Sequence, residues 1–482
     1  MLFNSISFLF FFPLVVFLYF ATPYKYRWIL LLVASYYFYM CWKVEYIVLI
    51  MISTIVDYFV AIKMSETEVK ADRKKWLYLS LFVNLGFLFT FKYFNFFGGS
   101  INALFQQFNM LGPIPGFHLL LPVGISFYTF QTLSYSIDVY NDKVKAERHL
   151  GIFALYVSFF PQLVAGPIER PSHLLPQFRQ KFDYNYERIV AGLKMMAWGF
   201  FMKLVIADRV APIVNEVFNH PNKYEGLQVI IATIFFSFQI FCDFAGYSII
   251  AIGTAKVLGY DLMQNFKRPY FAASIKDFWA RWHISLSTWF RDYVYIPLGG
   301  NRVVKWRWYY NLFITFLVSG LWHGANWTFV VWGALHGFYL VFAIVSEPSR
   351  KKIADQLGIS KIPALHNFLQ IATTFALAVF AWIFFRANNI TDAFTLIGNM
   401  FVIKAEQFDL SLIKGFTGFD LLLCFAVILL MEIVHAQEEW GKTRSFMHSS
   451  STAIRWATYL LLALITLGFG VFTSSAFIYF QF

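Results

Sequence analysis

Charged residues are scarce in this chain of 482 residues. Asp, Glu, Lys and Arg together make up 14% of the sequence, whereas soluble globular proteins contain about 25%. Apolar residues account for 59%, so the chain has too few polar side chains to cover a soluble surface. The composition therefore excludes the ordinary soluble classes and predicts a membrane protein.

Cysteine and several catalytic motifs are also lacking. The three cysteines, Cys41, Cys242 and Cys424, are scattered through apolar runs and form no pair with metal-ligand spacing. The chain has no H-E-x-x-H pattern and no P-loop, and Ser126 in "GISFY" lacks the second glycine of a G-x-S-x-G motif. We therefore expect no metal site and no serine nucleophile. Histidine imidazoles remain as the side chains suited to proton transfer.

Apolar segments long enough to cross a bilayer recur along the whole chain. They are continuous runs, which favours helices over a β-barrel. We predict an all-α, polytopic integral membrane protein with about 10–12 spanning helices. No internal repeat or soluble domain is apparent, so we expect one membrane domain over 1–482. Its N-terminal spans lie in 1–150, a central part that carries the polar chemistry lies in 151–346, and the C-terminal spans lie in 347–482.

The net charge of +12 is explained by membrane orientation rather than by nucleic-acid binding. Lys and Arg concentrate in short connections, which the positive-inside rule assigns to the cytoplasm. On this rule the loops at 63–75, 141–149 and 347–361 lie inside, and both termini lie outside. The apolar run at 7–21 has no positive charge before it, so we interpret it as the first span rather than a cleaved signal.

Two central segments, 166–188 and 259–308, are too polar or too broken to span. Irregular backbone at membrane depth requires a protein or water-filled surrounding, so we expect surface elements or re-entrant pieces. Within the second, 274–293 reads "SIKDFWARWHISLSTWFRDY". Asp277 and Arg281 are four residues apart, which suits a helical ion pair.

Aromatic residues in 274–293 recur at helical spacing, which predicts one amphipathic helix at the membrane interface with its tryptophans at headgroup depth. A plain anchoring helix explains the tryptophans as well as a functional helix does. His283 is less expected of an anchor, and we take it as a candidate functional residue. The following Gly299-Gly300 pair precedes Arg302, Lys305 and Arg307, which fits either a phosphate site or a plain turn with basic flanks.

The stretch "SGLWHGANW" places His323 inside an apolar region. Gly320 and Gly324 form a G-x-x-x-G pattern, which allows another backbone to approach closely. An ionisable side chain within a span is a functional candidate, although a neutral structural histidine is the alternative. On a continuous helix His336 would point about 220° away from His323, so we interpret His336 as structural. Asp243 in "FCDFAGYS" is a candidate pocket residue.

Four stretches carry a resemblance to a known family. They are "LVAGPIERPSHLLPQF", "FWARWHISLSTWFRDYVYIPLGGNR", "SGLWHGANWTFVVWGALHG" and "AWIFFRANNITDAF". The chain resembles the membrane-bound O-acyltransferase superfamily, in particular its polysaccharide-acetylating branch. The resemblance implies a ring of spanning helices around a thinned centre, with re-entrant or interfacial helices and a tunnel that joins the two membrane faces.

The resemblance also implies roles for individual residues. The essential histidine of the family's tryptophan-histidine-glycine motif corresponds to His323, and His283 occupies a second functional position. The implied donor is an acyl thioester such as acetyl-coenzyme A, a substrate rather than a bound cofactor. We expect the donor or acceptor to be bound by Trp279, Arg281, Trp282, Arg291, Trp322, Asn326 and Asp243.

The implied acceptor is a hydroxyl of an extracytoplasmic, alginate-like polysaccharide, reached directly or through an acetyl-relay partner protein at a bacterial inner membrane. Peptidoglycan acylation and D-alanyl transfer to teichoic acid stay open as alternatives. A transporter is the alternative from another class, but transporters often contain two similar halves, which this sequence does not show.

The predicted orientation is tested by cysteine labelling in intact cells. A cysteine introduced at Ser65, in the first basic loop, should not react with a membrane-impermeant reagent added outside, because the positive-inside rule places that loop in the cytoplasm. Labelling of this cysteine from outside would overturn the assignment.

Overall fold

The computed structural model describes residues 1–108, 114–117, 122–164, 166–402, 416–441, 450–472 and 477–478. Over these residues the chain is helical and forms no β-strand, which confirms the predicted all-α class. The helices group into two compact units. One comprises Met1–Met196 with Ser248–Gln264, and the other comprises Ala197–Tyr247 with Asn265–Phe482. The segments expected from the sequence, 1–150, 151–346 and 347–482 of a single domain, stay a prediction.

The first unit contains the N-terminal helices. A π-helical turn at Phe89–Tyr93 joins two of them into one long helical run, and short 3-10 segments occur at Val44–Tyr46 and Leu175–Arg179. The helices are α1 (Ile6–Ala21), α2 (Tyr24–Met40), α3 (Ile47–Glu66), α4 (Lys70–Leu88), α5 (Phe94–Gln107), α6 (Ile125–Tyr140), α7 (Leu150–Ser158), α8 (Phe160–Leu163) and α9 (Pro171–Leu174).

The remaining helices belong to the second unit, and two of them, α10 and α12, have residues in both. Irregular helical pieces occur at Phe201–Ala207, Pro269–Phe271, Arg291–Tyr295 and Ile359–Lys361. The helices are α10 (Tyr186–Phe200), α11 (Asp208–Asn219), α12 (Leu227–Leu258), α13 (Ile275–Arg281), α14 (Ile284–Phe290), α15 (Lys305–His323), α16 (Trp327–Val345), α17 (Glu347–Gln356), α18 (Pro363–Arg386), α19 (Ile390–Asn399), α20 (Gly418–Glu439) and α21 (Thr452–Phe469).

Eight helical runs of the described residues are long and apolar enough to cross a membrane, and α1 is an apolar helix of shorter length. The prediction of a polytopic membrane protein is thereby confirmed. The expected 10–12 spans exceed these eight partly because two apolar runs form short helices, α6 of 16 residues and α7 of 9. The eight runs are Val44–Glu66, Lys70–Gln107, Tyr186–Asn219, Leu227–Leu258, Trp327–Val345, Pro363–Arg386, Gly418–Glu439 and Thr452–Phe469.

These helices differ strongly in how much of their surface the protein covers. In α12, 89% of the most apolar window is buried, whereas in α21 none of it is. A helix that is apolar and covered all round belongs to the interior of a membrane protein, and an apolar helix without protein cover presents its side chains to lipid. Helix α12 is therefore an interior helix, and α21 is a peripheral one.

Buried polar side chains hold α3, α4 and α6 together. Asp57 of α3 is fully buried and accepts hydrogen bonds from Ser80, from Asn84 Nδ2 at 2.8 Å and from Ser136 Oγ at 3.0 Å. The hydroxyl of Thr132 donates to Asn84 Oδ1 at 3.2 Å. Because lipid offers no hydrogen-bonding partners, such bonds between helices fix which faces meet.

The polar segment 166–188 is held by a second buried carboxylate. Glu169 is fully buried, lies 2.7 Å from His173 Nδ1 and accepts the backbone N–H of Met263 at 2.5 Å. Burial raises the pKa of Glu169, and the hydrogen bond to Glu169 raises the pKa of His173. The segment is therefore buried in protein at Glu169, and its assignment as a surface element or a re-entrant piece stays a prediction.

Candidate active site

Helices α15 and α16 form a hairpin whose backbones touch at glycines. A Cβ atom on Gly320 would collide with the carbonyl oxygen of Phe329 and would lie 2.9 Å from the Cα of Gly333. This confirms the close approach that the G-x-x-x-G pattern predicted at Gly320. The space at Gly324 is instead filled by the ring of Phe329. A second pattern, Gly333-x-x-x-Gly337 on α16, faces α15 and was visible in the sequence but overlooked.

His323 is the last residue of α15. The chain continues in an extended conformation at Gly324, and α16 then begins under an N-cap supplied by Asn326. The His323 side chain is buried. Its imidazole lies edge-on to the indole of Trp332, with ring centroids 5.0 Å apart, and 5.5 Å from the ring of Phe385. The hairpin thus delivers an imidazole into an aromatic cluster contributed by α16 and α18.

His283 lies between α13 and α14 in a left-handed conformation, with φ of +43°. The prediction of one continuous helix over 274–293 is wrong. The backbone N–H of Ile284 donates to the carbonyl of Asn265 at 2.8 Å, and Ser285 Oγ donates to Asn265 Oδ1 at 2.6 Å. These bonds to a preceding loop end α13 and restart the helix, and they retain His283 in a backbone conformation that non-glycine residues seldom adopt.

The charge state of His283 depends on its burial and on His323. His283 is outside the eight candidate spans, and its ring lies 4.6 Å from that of Phe244 in an edge-on contact. Burial lowers the pKa of His283 well below its usual value, and the proximity of His323 lowers it further. His283 is therefore neutral at physiological pH.

The tryptophans of 274–293 are buried in protein and do not face lipid. Trp279, Trp282 and Trp289 are 7%, 1% and 6% exposed, so the interpretation as an interfacial anchor is wrong for them. The indole of Trp282 lies 5.0 Å from that of Trp382. Trp279 Nε1 donates a hydrogen bond to Nδ1 of His336 at 3.2 Å. These rings belong to the same aromatic cluster as His323.

Two predicted binding arginines are paired with carboxylates. The expected pair of Asp277 with Arg281 is confirmed at 2.9 Å, and Arg281 also contacts Glu439 at 2.9 Å. Arg291 is exposed and pairs with its neighbour Asp292 at 2.8 Å. Their assignment to the donor or acceptor stays a prediction.

Three further predicted binding residues have local partners or partial exposure. Asp243 lies 2.6 Å from Lys203 and accepts the backbone N–H of Ile478 at 2.7 Å. Asn326 caps α16 through Thr328 and donates to the carbonyl of Asn388 at 2.9 Å. Trp322 is half-buried. These contacts explain Asp243 and Asn326 structurally, and binding by the three residues stays a prediction.

His336 occupies a different position from the one that a continuous helix implies. The helix breaks between His323 and Trp327, so the two histidines belong to separate helices of one hairpin. The indole of Trp332 lies 5.0 Å from His323 and 4.9 Å from His336. Both histidines therefore contact the same indole, whereas one continuous helix would have directed them about 220° apart.

Sequence reasoning missed two tryptophans of the cluster. Trp332 and His336 are four residues apart and share one face of α16, which the spacing alone could have indicated. Trp382 lies in the "AWIFFRANNITDAF" stretch, and its indole is 5.7 Å from that of Trp332. Both tryptophans are fully buried. Nothing in the sequence around 382 says that it meets α16.

The fold and the site together describe an all-α membrane protein in which two imidazoles, those of His283 and His323, are buried among aromatic rings. A family model described as membrane-bound O-acyltransferase matches residues 35–356. The chain belongs to this family and is an O-acyltransferase.

Relatives within this family carry specific names. The chain is 36% identical over 513 residues to a probable alginate O-acetylase of Azotobacter vinelandii, with 100% of both chains covered. It is 41% identical over 403 residues to one from Pseudomonas putida, covering 83% of this chain and 80% of the relative. It is 38% identical over 398 residues to a peptidoglycan O-acetyltransferase of Helicobacter pylori, covering 77% and 73%.

The glycine contact gives a matched pair of substitutions. Gly320→Ala should lower the stability of the protein by about 1–3 kcal/mol and reduce acyl transfer, because the new methyl group collides with the backbone of α16. Gly398→Ala in α19, where nothing lies within 4 Å of the added atom, should be tolerated. Thermal unfolding of the purified proteins in detergent and acyl transfer are the measurements. Equal behaviour of the two variants would contradict the packing account.

Proposed function

We propose that this enzyme carries an acetyl group from a cytoplasmic thioester, acetyl-coenzyme A, across a bacterial inner membrane to hydroxyls of an extracytoplasmic, alginate-like polysaccharide. The acceptor is reached directly or through an extracytoplasmic relay partner. The observation that carries the proposal is the burial of His323 beside His283 among aromatic rings. The relatives named as alginate O-acetylases support an acetyl group and a polysaccharide.

In the proposed mechanism His323 is the general base. Its neutral imidazole takes the proton of the acceptor hydroxyl as that oxygen attacks the thioester carbonyl carbon, forming the new C–O bond. Cleavage of the C–S bond then releases the thiolate, to which the imidazolium returns the proton to give the thiol. Proton transfer by a positioned side chain contributes about 10²–10⁴-fold in rate. His283, which stays neutral, orients the donor or the acceptor.

The donor is proposed to enter near the Gly299-Gly300 turn. Both glycines have positive φ, +106° and +57°, and Asn311 Nδ2 donates to the carbonyls of Leu298 and Gly300 at 3.1 and 3.0 Å. This bonding fixes the turn before the basic cluster. Arg302 and Lys305 are exposed. Their positive charge favours binding of the phosphates of coenzyme A. The proposed orientation places this cluster in the cytoplasm and both termini outside.

A peptidoglycan acceptor is the second candidate. The Helicobacter pylori relative is named as a peptidoglycan O-acetyltransferase and matches most of the chain. The proposed chemistry is the same, because each acceptor presents a sugar hydroxyl to the thioester. Comparing the acetyl content of the exopolysaccharide with that of peptidoglycan, in cells with and without the protein, separates the two.

His323→Gln tests the proposed function. The amide can hydrogen-bond but cannot accept the proton, so polymer acetylation should be lost while the protein still inserts and purifies at the wild-type level. His220→Gln is the control, because His220 is an exposed histidine at the end of α11. Acetylation of the extracted polymer, with protein abundance measured in parallel, is the readout. Wild-type acetylation by His323→Gln would make the histidine a packing residue and end the proposal.

The donor assignment is tested by charge. Neutralising Arg302, Lys305 and Arg307 together should raise the KM for acetyl-coenzyme A and leave protein abundance unchanged, because the phosphates lose their attraction. The matched control neutralises the exposed Arg350, Lys351 and Lys352 of α17. The positive-inside rule predicts that these three residues also lie in the cytoplasm. If the first triple variant keeps the wild-type KM, the cluster serves only to set membrane orientation.

A further inference from the structure

Three fully buried N–H groups lie in the aromatic cluster that holds His323. They belong to Trp332 and His336 of α16 and to Trp382 of α18, and each of these residues is 0% exposed. Neither the two indole nitrogens nor His336 Nε2 has a hydrogen-bond partner in the part of the chain that the structure describes. Buried polar groups are usually paired, so three such atoms in one cluster call for an explanation.

The proton position on His336 follows from its other nitrogen. Trp279 Nε1 donates to His336 Nδ1 at 3.2 Å. An imidazole nitrogen that accepts a hydrogen bond carries no proton, so the proton of the neutral ring is on Nε2. His336 is therefore a donor at Nε2, as the two indoles are at Nε1. All three polar atoms are hydrogen-bond donors.

The three donor side chains contact one another, and one of them, Trp332, contacts the proposed base. The ring of Trp332 lies 4.9 Å from that of His336 and 5.7 Å from that of Trp382, and the last two rings are 6.5 Å apart. Trp332 is also 5.0 Å from His323. The three donor side chains thus belong to the aromatic cluster that also holds His323.

The chemistry of the cluster selects the atom that it binds. A site made of donors alone requires an acceptor, and the carbonyl oxygen of a thioester is an acceptor without a proton to offer. Aromatic rings pack against these donors. Such apolar surroundings disfavour a full negative charge that has no cation beside it. A neutral carbonyl whose oxygen gains negative charge only during the reaction fits better than a carboxylate does.

We propose that Trp332, His336 and Trp382 form the binding site for the carbonyl oxygen of the acyl thioester. The inference rests on the proposed function. When the acceptor oxygen attacks the carbonyl carbon, the electron pair of the C=O bond moves to the carbonyl oxygen. The three N–H groups donate hydrogen bonds to that carbonyl oxygen. The pair re-forms the C=O bond as the C–S bond breaks, and the departing thiolate takes the proton held by His323. His336 is thus a catalytic residue rather than a purely structural one.

Removing a single donor tests the site with little change in packing. Trp332→Phe and Trp382→Phe keep an aromatic ring and delete the N–H group. Each should lower kcat by about 10²–10³-fold, the loss typical of one donor to a developing oxyanion, with little change in the KM for acetyl-coenzyme A. Thermal stability should be unchanged or higher, because an unpaired buried donor has been removed. The full chain in membrane vesicles, with labelled acetyl-coenzyme A and the cell's own polysaccharide, provides the assay.

Trp198→Phe is the matched control, because Trp198 of α10 is half-buried and lies against Phe201 and His435. It should keep the wild-type kcat. Wild-type kcat in both Trp332→Phe and Trp382→Phe would overturn the inference, and so would a loss of kcat that is matched by a loss of thermal stability. If wild-type vesicles transfer no acetyl group, the proposed function is wrong. If they do but both Trp→Phe variants match the wild type, only the proposed carbonyl-oxygen site is wrong.

Discussion

Every polar group at membrane depth must find its partner within the protein, because lipid offers none. This constraint accounts for the bonding of Asp57 to hydroxyls on neighbouring helices, of Glu169 to His173 and Met263, and of Asp243 to Lys203. Within each unit these contacts determine which helix faces meet. By contrast, the N–H groups of Trp332, His336 and Trp382 have no hydrogen-bond partner among the described residues, and in our proposal a substrate completes their bonding.

The site depends on small residues as much as on its histidines. Gly320 and Gly333 bring α15 and α16 into backbone contact, and the helix break at Gly324 turns the chain back so that Trp332 faces His323. The left-handed His283 is held by hydrogen bonds from Ile284 and Ser285 to Asn265. Two imidazoles from separate elements are thereby brought into electrostatic range of each other.

The sequence was sufficient for the class of fold, for the candidate histidines and for the close approach at Gly320, because apolar runs and glycine spacing act locally. It predicted one helix over 274–293, and the bonds to Asn265 that break this helix come from a separate loop. It placed the tryptophans in the lipid interface, because the pattern of an amphipathic helix does not say whether protein or lipid covers the apolar face. Trp382 meets Trp332 across 50 positions, a contact that no periodicity reports.

We propose above that the acyl group reacts within this aromatic cluster. There His323 takes the proton of the attacking hydroxyl, and the three N–H groups bind the carbonyl oxygen. The most direct measurement is an experimental structure of the full chain bound to a thioether analogue of acetyl-coenzyme A that retains a carbonyl but cannot transfer it. The account predicts the carbonyl oxygen within hydrogen-bond distance of Trp332, His336 and Trp382, with the carbonyl carbon facing His323. An analogue bound with its carbonyl outside this cluster would contradict it.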